Sequence, residues 1–289
     1  MKNKKLIAFS ILVFSFMLVI YPIKSTFAET GSLQHDQLSN NSSIKAIPLT
    51  EAEMQKIRDS FYKEQTSGED ASYVINRLKK VTPVSINIDG NKTLRTNTVT
   101  FDGAGAGHIY LSDNPPRTEG EGGLDSNGWL DCRTEYISPS ATGSGYAWGW
   151  LGRYIDVTGS GSANMNISFS GRYEGVLEAT NTLNTNTYCK IAAQVCDVTD
   201  DNFSIVAENV IVERGFTFLM LPNDVAGTIG SNDSIQATLY ADHTYLLRLV
   251  LYTSAQTRWY TASIWGLSDF HSGGPDGQGL DYNSVNLTW

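Results

Sequence analysis

From about Val84 onward, apolar and polar residues alternate with a period of two. The clearest stretch is "ANMNISFSGRYEGVLEAT". Ala163, Met165, Ile167, Phe169, Tyr173, Leu177 and Ala179 share one parity, and Asn164, Asn166, Ser168, Ser170, Arg172, Glu174 and Glu178 share the other. Successive strand side chains point to opposite faces, so the pattern predicts a long strand with one buried and one wet face, bent at Gly171 or Gly175. Further runs are "WLDCRTEYI", "GYAWGWLGRYIDV", "CKIAAQVCD", "FSIVAENVIVE", "SIQATLYA", "HTYLLRLVLYT", "RWYTASIW" and "SVNLTW", with turn-rich pieces such as "TGSGSA" and "HSGGPDGQG" between them. Many strands at this spacing, without intervening helices, predict an all-β fold over residues 84–289, an antiparallel β-sandwich of jelly-roll type. In the last run Val285, Leu287 and Trp289 alternate with Ser284, Asn286 and Thr288, which predicts a strand with the three apolar residues in the core.

Before Val84 the period is helical. Leu49, Met54, Ile57 and Phe61 repeat at helical intervals behind Thr50 and Glu53, which stand at capping-box spacing. After the break "TSGED", Ala71, Val74, Ile75 and Leu78 make a second amphipathic segment that ends at Lys79–Lys80, with Pro83 beyond. Residues 47–83 therefore read as a helical hairpin preceding the sandwich. So short a hairpin has too little core to stand alone. It is expected to be an appendage dispensable for the β domain, with docking, a propeptide role or a partner-binding stalk as its possible uses. Residues 29–46 are polar and aperiodic, as in a flexible linker.

The first 28 residues set the compartment. Lys2, Lys4 and Lys5 precede an uncharged run from Leu6 to Ile23, and Thr26 and Ala28 supply small residues for a cut before Glu29. This is the pattern of a secretory signal peptide; an uncleaved N-terminal anchor is the alternative. Either way residues 29–289 are expected outside the cytoplasm, secreted or held at the cell surface. Loss of residues 1–28, with four lysines and no acid, turns 21 basic and 30 acidic residues into 17 and 30, a net charge of −13. Such a surface argues against nucleic acid and, the N-terminal anchor apart, against the membrane as partners. Three cysteines in an oxidising compartment imply one disulfide and one leftover thiol. Cys189 and Cys196 lie seven residues apart in one strand, about 23 Å and on opposite faces, beyond the ~7 Å Cα reach of a disulfide. Cys132 shares a parity with Leu130 and Tyr136, and Cys189 with Ile191, Ala193 and Val195, so both are expected to face the core and the expected pair is Cys132–Cys189.

Enzyme motifs are scarce: the sequence contains no HExxH, GxSxG or P-loop, and its four histidines are scattered. Glu174 and Glu178 share a strand face but lie ~13 Å apart, too far for a glycosidase pair, while cross-strand pairs cannot be seen in sequence. Aromatic residues offer more. Tyr146, Trp148, Trp150 and Tyr154 share one parity, and a row of rings on a sheet face suits stacking against sugar rings. The same row equally suits a core face. In "SDFHSGGPDGQGLDYNSV", Asp269, Asp276 and Asp281 offer carboxylates, and the glycines expose carbonyls, as a structural calcium would need. The alternative is a glycine-rich turn with solvating acids.

"YLLRLVLY", then a loop and "LDYNSVNLTW", resembles the final strands of secreted jelly-roll carbohydrate-binding modules, over about the last fifty residues. The resemblance implies a role for Asp281 in holding a structural calcium. The expected function is thus non-catalytic binding at or outside the cell surface, with a glycan or another cell-surface polymer as partner. The alternatives are a structural or assembly protein of the cell surface or matrix, and a glycan-active hydrolase or lyase on the same fold.

Overall fold

Thr50 and Glu53 start the first helix as their spacing predicts. The Thr50 amide donates to a Glu53 carboxylate oxygen at 2.9 Å, and the Glu53 amide donates to Thr50 Oγ1 at 3.4 Å. The structure, a computed structural model, describes residues 46–66, 68–88, 96–100, 106–112, 118–124, 129–138, 143–180, 185–219, 221–257, 264–270 and 279–289. The expected signal peptide, most of the expected linker, and Trp259, His271 and Asp276 lie outside the described residues.

The chain runs β1 (Ala46–Pro48), α1 (Glu51–Thr66), α2 (Gly68–Leu78), β2 (Val84–Ile88), β3 (Thr96–Thr100), β4 (Ala106–Ser112), β5 (Thr118–Leu124), β6 (Trp129–Ser138) and β7 (Gly143–Gly159). It continues β8 (Ser162–Thr180), β9 (Thr185–Asp197), β10 (Ser204–Leu219), β11 (Asn223–Ile229), β12 (Ile235–Tyr240), β13 (His243–Thr257), β14 (Ile264–Phe270) and β15 (Gly279–Thr288). One sheet has the order β1-β10-β9-β13-β7, with β2 and β4 both on the outer edge of β7. In the other, β8 is the spine, with β11 and β12 along one edge and β14 and β15 along the opposite one; β6 with β5 follows β14, and β3 follows β15. Only β2 with β7 is parallel among the described pairs. The chain crosses repeatedly between the sheets from β6 to β15. The architecture is a β-sandwich of jelly-roll type preceded by a helical hairpin.

Two cores hold it. Between the sheets lie Met165, Ile167 and Phe169 of β8, Val285 and Leu287 of β15, and the odd-numbered residues of β9 and β13. The β8 parity predicted from sequence is thus the observed one. Within that strand Gly175 makes room for Phe270, whose ring lies 2.4 Å from where a Cβ would sit. The second core lies on the far side of the first sheet, under the hairpin: Phe61 and Val74 meet Trp148, Trp150, Tyr154, Tyr188, Leu246, Val250 and Tyr252. The central strands of the first sheet are therefore covered on both faces. Every residue of Asn186–Cys196 and Tyr245–Thr253 is buried, which is why "CKIAAQVC" and "YLLRLVLYT" read as nearly continuous apolar runs rather than alternating ones.

The hairpin is not an appendage. Residues 43–289 form a single compact unit, and α2 inserts a charge into the second core. Asp70, with no solvent exposure, accepts from Arg248 Nη1 at 2.9 Å, Trp150 Nε1 at 3.0 Å and the Tyr110 hydroxyl at 2.8 Å. Gln194 accepts from Arg248 Nε at 2.9 Å. Gly152 lies opposite Arg248 in the ladder, and a Cβ there would be 2.9 Å from that of Arg248. The missing side chain leaves the arginine its space.

The expected Cys132–Cys189 disulfide is absent: all three cysteines are buried and free. Cys132 and Cys189 do both face the inter-sheet core, but from different sheets. Cys132 Sγ lies 4.0 Å from the Leu251 carbonyl. Leu251 pairs with Ile191, one strand across and two residues along from Cys189, so the two thiols are offset within the core. Cys196 faces the hairpin.

Candidate functional site

Of the two readings of the aromatic row, core face and binding platform, the structure shows the first for most of it. Tyr146, Trp148, Trp150 and Tyr154 do share a face, but it is the one the hairpin covers. Trp148, Trp150 and Tyr154 are buried in the second core. Trp148 stacks on Tyr110 at 4.3 Å and meets Phe61 edge-on at 5.3 Å, and the Tyr154 hydroxyl donates to the Val74 carbonyl at 2.7 Å. Those three rings are no binding platform, because the amphipathic helices bury on them. Tyr146, at the end of the row, remains half-buried and stacks on Tyr252.

With one sheet covered, the open face of the sandwich is the outer face of the other. Its side chains are the polar parity of β8 together with those β12 and β15 bring beside it. Gln236 pairs with Asn166 and Thr238 with Asn164 on one edge; Thr288 pairs with Asn166 and Asn286 with Ser168 on the other. Directly paired residues point to the same side, so these side chains form one continuous surface. The Thr238 hydroxyl donates to Asn164 Oδ1 at 2.6 Å, and the Ser170 and Ser284 hydroxyls lie 2.8 Å apart. Across this surface runs an open groove of about 540 Å³, lined by Asn164, Asn166, Gln236, Thr238, Thr288 and Trp289, with Met165 and Ala237 between them. Trp289 follows β15 and is only partly buried against the core, so part of its indole faces the groove. No lining side chain is ionisable. The groove offers amides and hydroxyls that both donate and accept, and one indole. That chemistry matches a neutral, polyhydroxylated ligand better than an ion.

Farther along the same face the surface becomes charged. Glu135 on β6 and Glu178 on β8 both pair with Leu267 of β14 and so flank it on one side of the sheet. Arg133 holds Glu135, in a close ion pair, and Asp269, at 3.5 Å. Burial, with Asp269 and Glu135 nearby, raises the Glu178 carboxyl above the ordinary range.

Of the predicted calcium aspartates, the two that are described, Asp269 and Asp281, lie apart. Asp269 pairs with Val176 on β8, and Asp281 with Arg172, four residues earlier, about 13 Å along the strand. Asp281 is 3.4 Å from Arg172. Among the described residues no three His, Cys, Asp or Glu side chains are grouped to hold a metal. Two separated carboxylates, each beside a guanidinium, do not by themselves fit an ion that takes six to eight oxygens.

The groove residues escaped the sequence reading for a simple reason. Asn164 and Asn166 were visible as a wet strand face, but nothing in the sequence showed that Gln236 and Thr288 stand on either side of Asn166. Trp289 was expected inside.

No family model matches this chain, and no curated protein matches it. Solved structures give distant likenesses. A family 61 carbohydrate-binding module in complex with β-1,4-galactotriose is 10% identical, with 56% of this chain and 83% of the module covered, at a TM-score of 0.15. The CBM22-1–GH10 modules of Clostridium thermocellum endo-1,4-β-D-xylanase 10B, complexed with xylohexaose, are 14% identical over 65% of this chain and only 26% of theirs, at 0.16. A structure of infectious bursal disease virus is 10% identical over 68% of this chain and 41% of the viral one, at 0.15.

Proposed function

We propose that this chain is a secreted or cell-surface, non-catalytic carbohydrate-binding protein that holds a neutral glycan on the open face of its sandwich. One observation carries the reading: in a strongly acidic chain, the groove on the open face has no charged side chain and is lined by Asn164, Asn166, Gln236, Thr238, Thr288 and a partly buried Trp289. The volume of about 540 Å³ falls within the ~300–1,000 Å³ of ligand sites. Amides hydrogen-bond sugar hydroxyls, and the indole offers a flat apolar surface to pyranose C–H groups. Affinity electrophoresis and calorimetry against neutral polysaccharides test it. Trp289→Ala and Asn166→Ala should each weaken binding about tenfold or more, ~1.4 kcal/mol. Failure of the wild-type chain to bind any neutral glycan overturns the proposal.

A second reading is kept for one observation. Glu135 and Glu178 straddle a single strand, which puts their backbones ~9.6 Å apart, compatible with the ~5–9.5 Å between the carboxyls of a glycosidase pair. Their surroundings differ in the sense such a pair needs: Glu135 is ion-paired, while burial and nearby carboxylates hold the Glu178 carboxyl above its ordinary range. Release of reducing ends from a bound glycan, abolished in Glu178→Gln, would make the protein a hydrolase. A structural calcium that draws on Asp281 is a separate proposal. Added calcium should then raise the melting temperature of the wild-type chain but not that of Asp281→Ala.

A further inference from the structure

The hairpin does not cover its sheet completely. Beyond the last aromatic contacts of α1, the even-numbered side chains of β7, β9 and β13 continue on the same face, and α1 overhangs them to leave a pocket of about 440 Å³. Tyr146 and Tyr252 line it, their rings nearly parallel at 21° with centroids 6.0 Å apart. Ser144, Ser254 and Gln256 add hydroxyl and amide groups, and Ile57 and Ser60 of α1 face them.

Asn186 is the informative residue. It lies opposite Gln256 in the ladder, is 3% exposed and lines the pocket, yet its side-chain nitrogen has no hydrogen-bond partner among the described residues. A buried amide donor without an acceptor is costly, and native proteins complete nearly all such groups with protein, water or ligand. The two charges at the rim oppose each other, Lys56 against Glu53, and the Glu53 carboxylate is engaged in capping Thr50, accepting from its hydroxyl at 2.8 Å. The pocket is thus neutral overall, walled in part by rings, and has one buried donor awaiting an acceptor oxygen.

We propose that this pocket is a second ligand site, separate from the open groove, that takes a single hexose residue such as the end of a glycan chain. A ring oxygen or hydroxyl accepts from Asn186 Nδ2, and the sugar ring packs against Tyr146. Its volume lies toward the small end of ligand sites, suited to one or two rings rather than a long chain. Because α1 supplies one wall and the sheet the other, the bound sugar ties the two together and slows opening of α1.

The test uses the mature chain with a panel of methyl gluco-, galacto- and mannopyranosides. Binding is followed by saturation-transfer NMR, by the thermal shift, and by hydrogen exchange in α1. At least one hexoside should bind saturably, raise the melting temperature and protect α1. Asn186→Ala should melt like the wild-type chain without sugar, since the lost donor has no protein partner, while its hexoside affinity falls about tenfold. Tyr146→Ala should lose the hexoside response as well. Binding of no hexoside overturns the proposal, as does a response that survives both substitutions. Loss of the response in Trp289→Ala but not in Asn186→Ala places the hexoside in the open groove and overturns it too, while leaving the groove proposal standing.

Discussion

Asp70 and Arg248 meet with neither side chain exposed; Trp150 and Tyr110 also donate to Asp70 and Gln194 accepts from Arg248, whose Nη2 has no partner among the described residues. Removing one partner of such a pair leaves the other charged and buried. Asp70→Ala is therefore expected to cost ~3–5 kcal/mol in denaturant unfolding, whereas the double change Asp70→Leu with Arg248→Met should recover most of the loss. Equal destabilisation by single and double variants would show that the charges themselves, not their pairing, hold the hairpin. The cysteines make a second case at this scale. Burial pushes the Cys132 thiol up, the Cys189 thiol to about 12 and the Cys196 thiol to about 11, so almost no thiolate exists near neutral pH. A thiol reagent should label none of them in the native protein and all three in denaturant without reductant. Fewer than three in denaturant would restore the disulfide.

The helical hairpin is the element whose role changed most. Its two helices were legible, from the Thr50–Glu53 box to the apolar positions Phe61 and Val74. Its partner was not, because the rings that bury Phe61 come from strands almost ninety and two hundred residues away, Trp148 and Tyr252. A chain starting at Val84 should aggregate and bind hydrophobic dyes, since it exposes Trp148, Trp150, Tyr154 and Tyr188 together. Soluble, cooperative melting of that chain would refute the docked role. The same interface has an acid limit. Glu213 on β10 accepts from Arg58 of α1 at 2.8 and 2.9 Å and from the Tyr188 hydroxyl. Burial opposes its ionised form, but those hydrogen bonds prevail and hold its carboxyl below the ordinary range. A depressed folded value contributes stability above the ordinary carboxylate range and loses it as pH falls through the folded value. Melting temperature should drop in acid for the wild-type chain, and Glu213→Gln should flatten that drop.

At the scale of the molecule, the hairpin decides which face is open. With the central strands of the first sheet covered, the outer face of the β8 sheet is what the sandwich presents, and its groove is lined by uncharged side chains although the chain as a whole is acidic. Glycan affinity should accordingly change by no more than about twofold, under 0.5 kcal/mol, between mildly acidic and mildly alkaline buffer and from low to physiological salt. A steep dependence on either would implicate the charged end of the face, Glu135, Glu178 and Asp269, and favour the hydrolytic reading.

The sequence by itself determined the two helices and the strands β6 to β10, β12, β13 and β15, but not β1 to β5 or β11, whose "DVAGTI" reads as a turn. The period-two pattern of β8 put Met165, Ile167 and Phe169 inside, the final strand put Val285 and Leu287 there, and the parities of Cys132 and Cys189 pointed both to the core, all as observed. These are local properties, set by backbone geometry and by which side chains avoid water. Tertiary structure alone decided what each face meets. An aromatic row looks the same in sequence whether a helix or a sugar covers it. Two core-facing cysteines look bonded until the sheets bring them together with an offset. Asn166, Gln236 and Thr288 are unremarkable polar residues until strand pairing sets them side by side, because ladder register across seventy or more residues follows from the packing of whole sheets and not from any stretch of the chain.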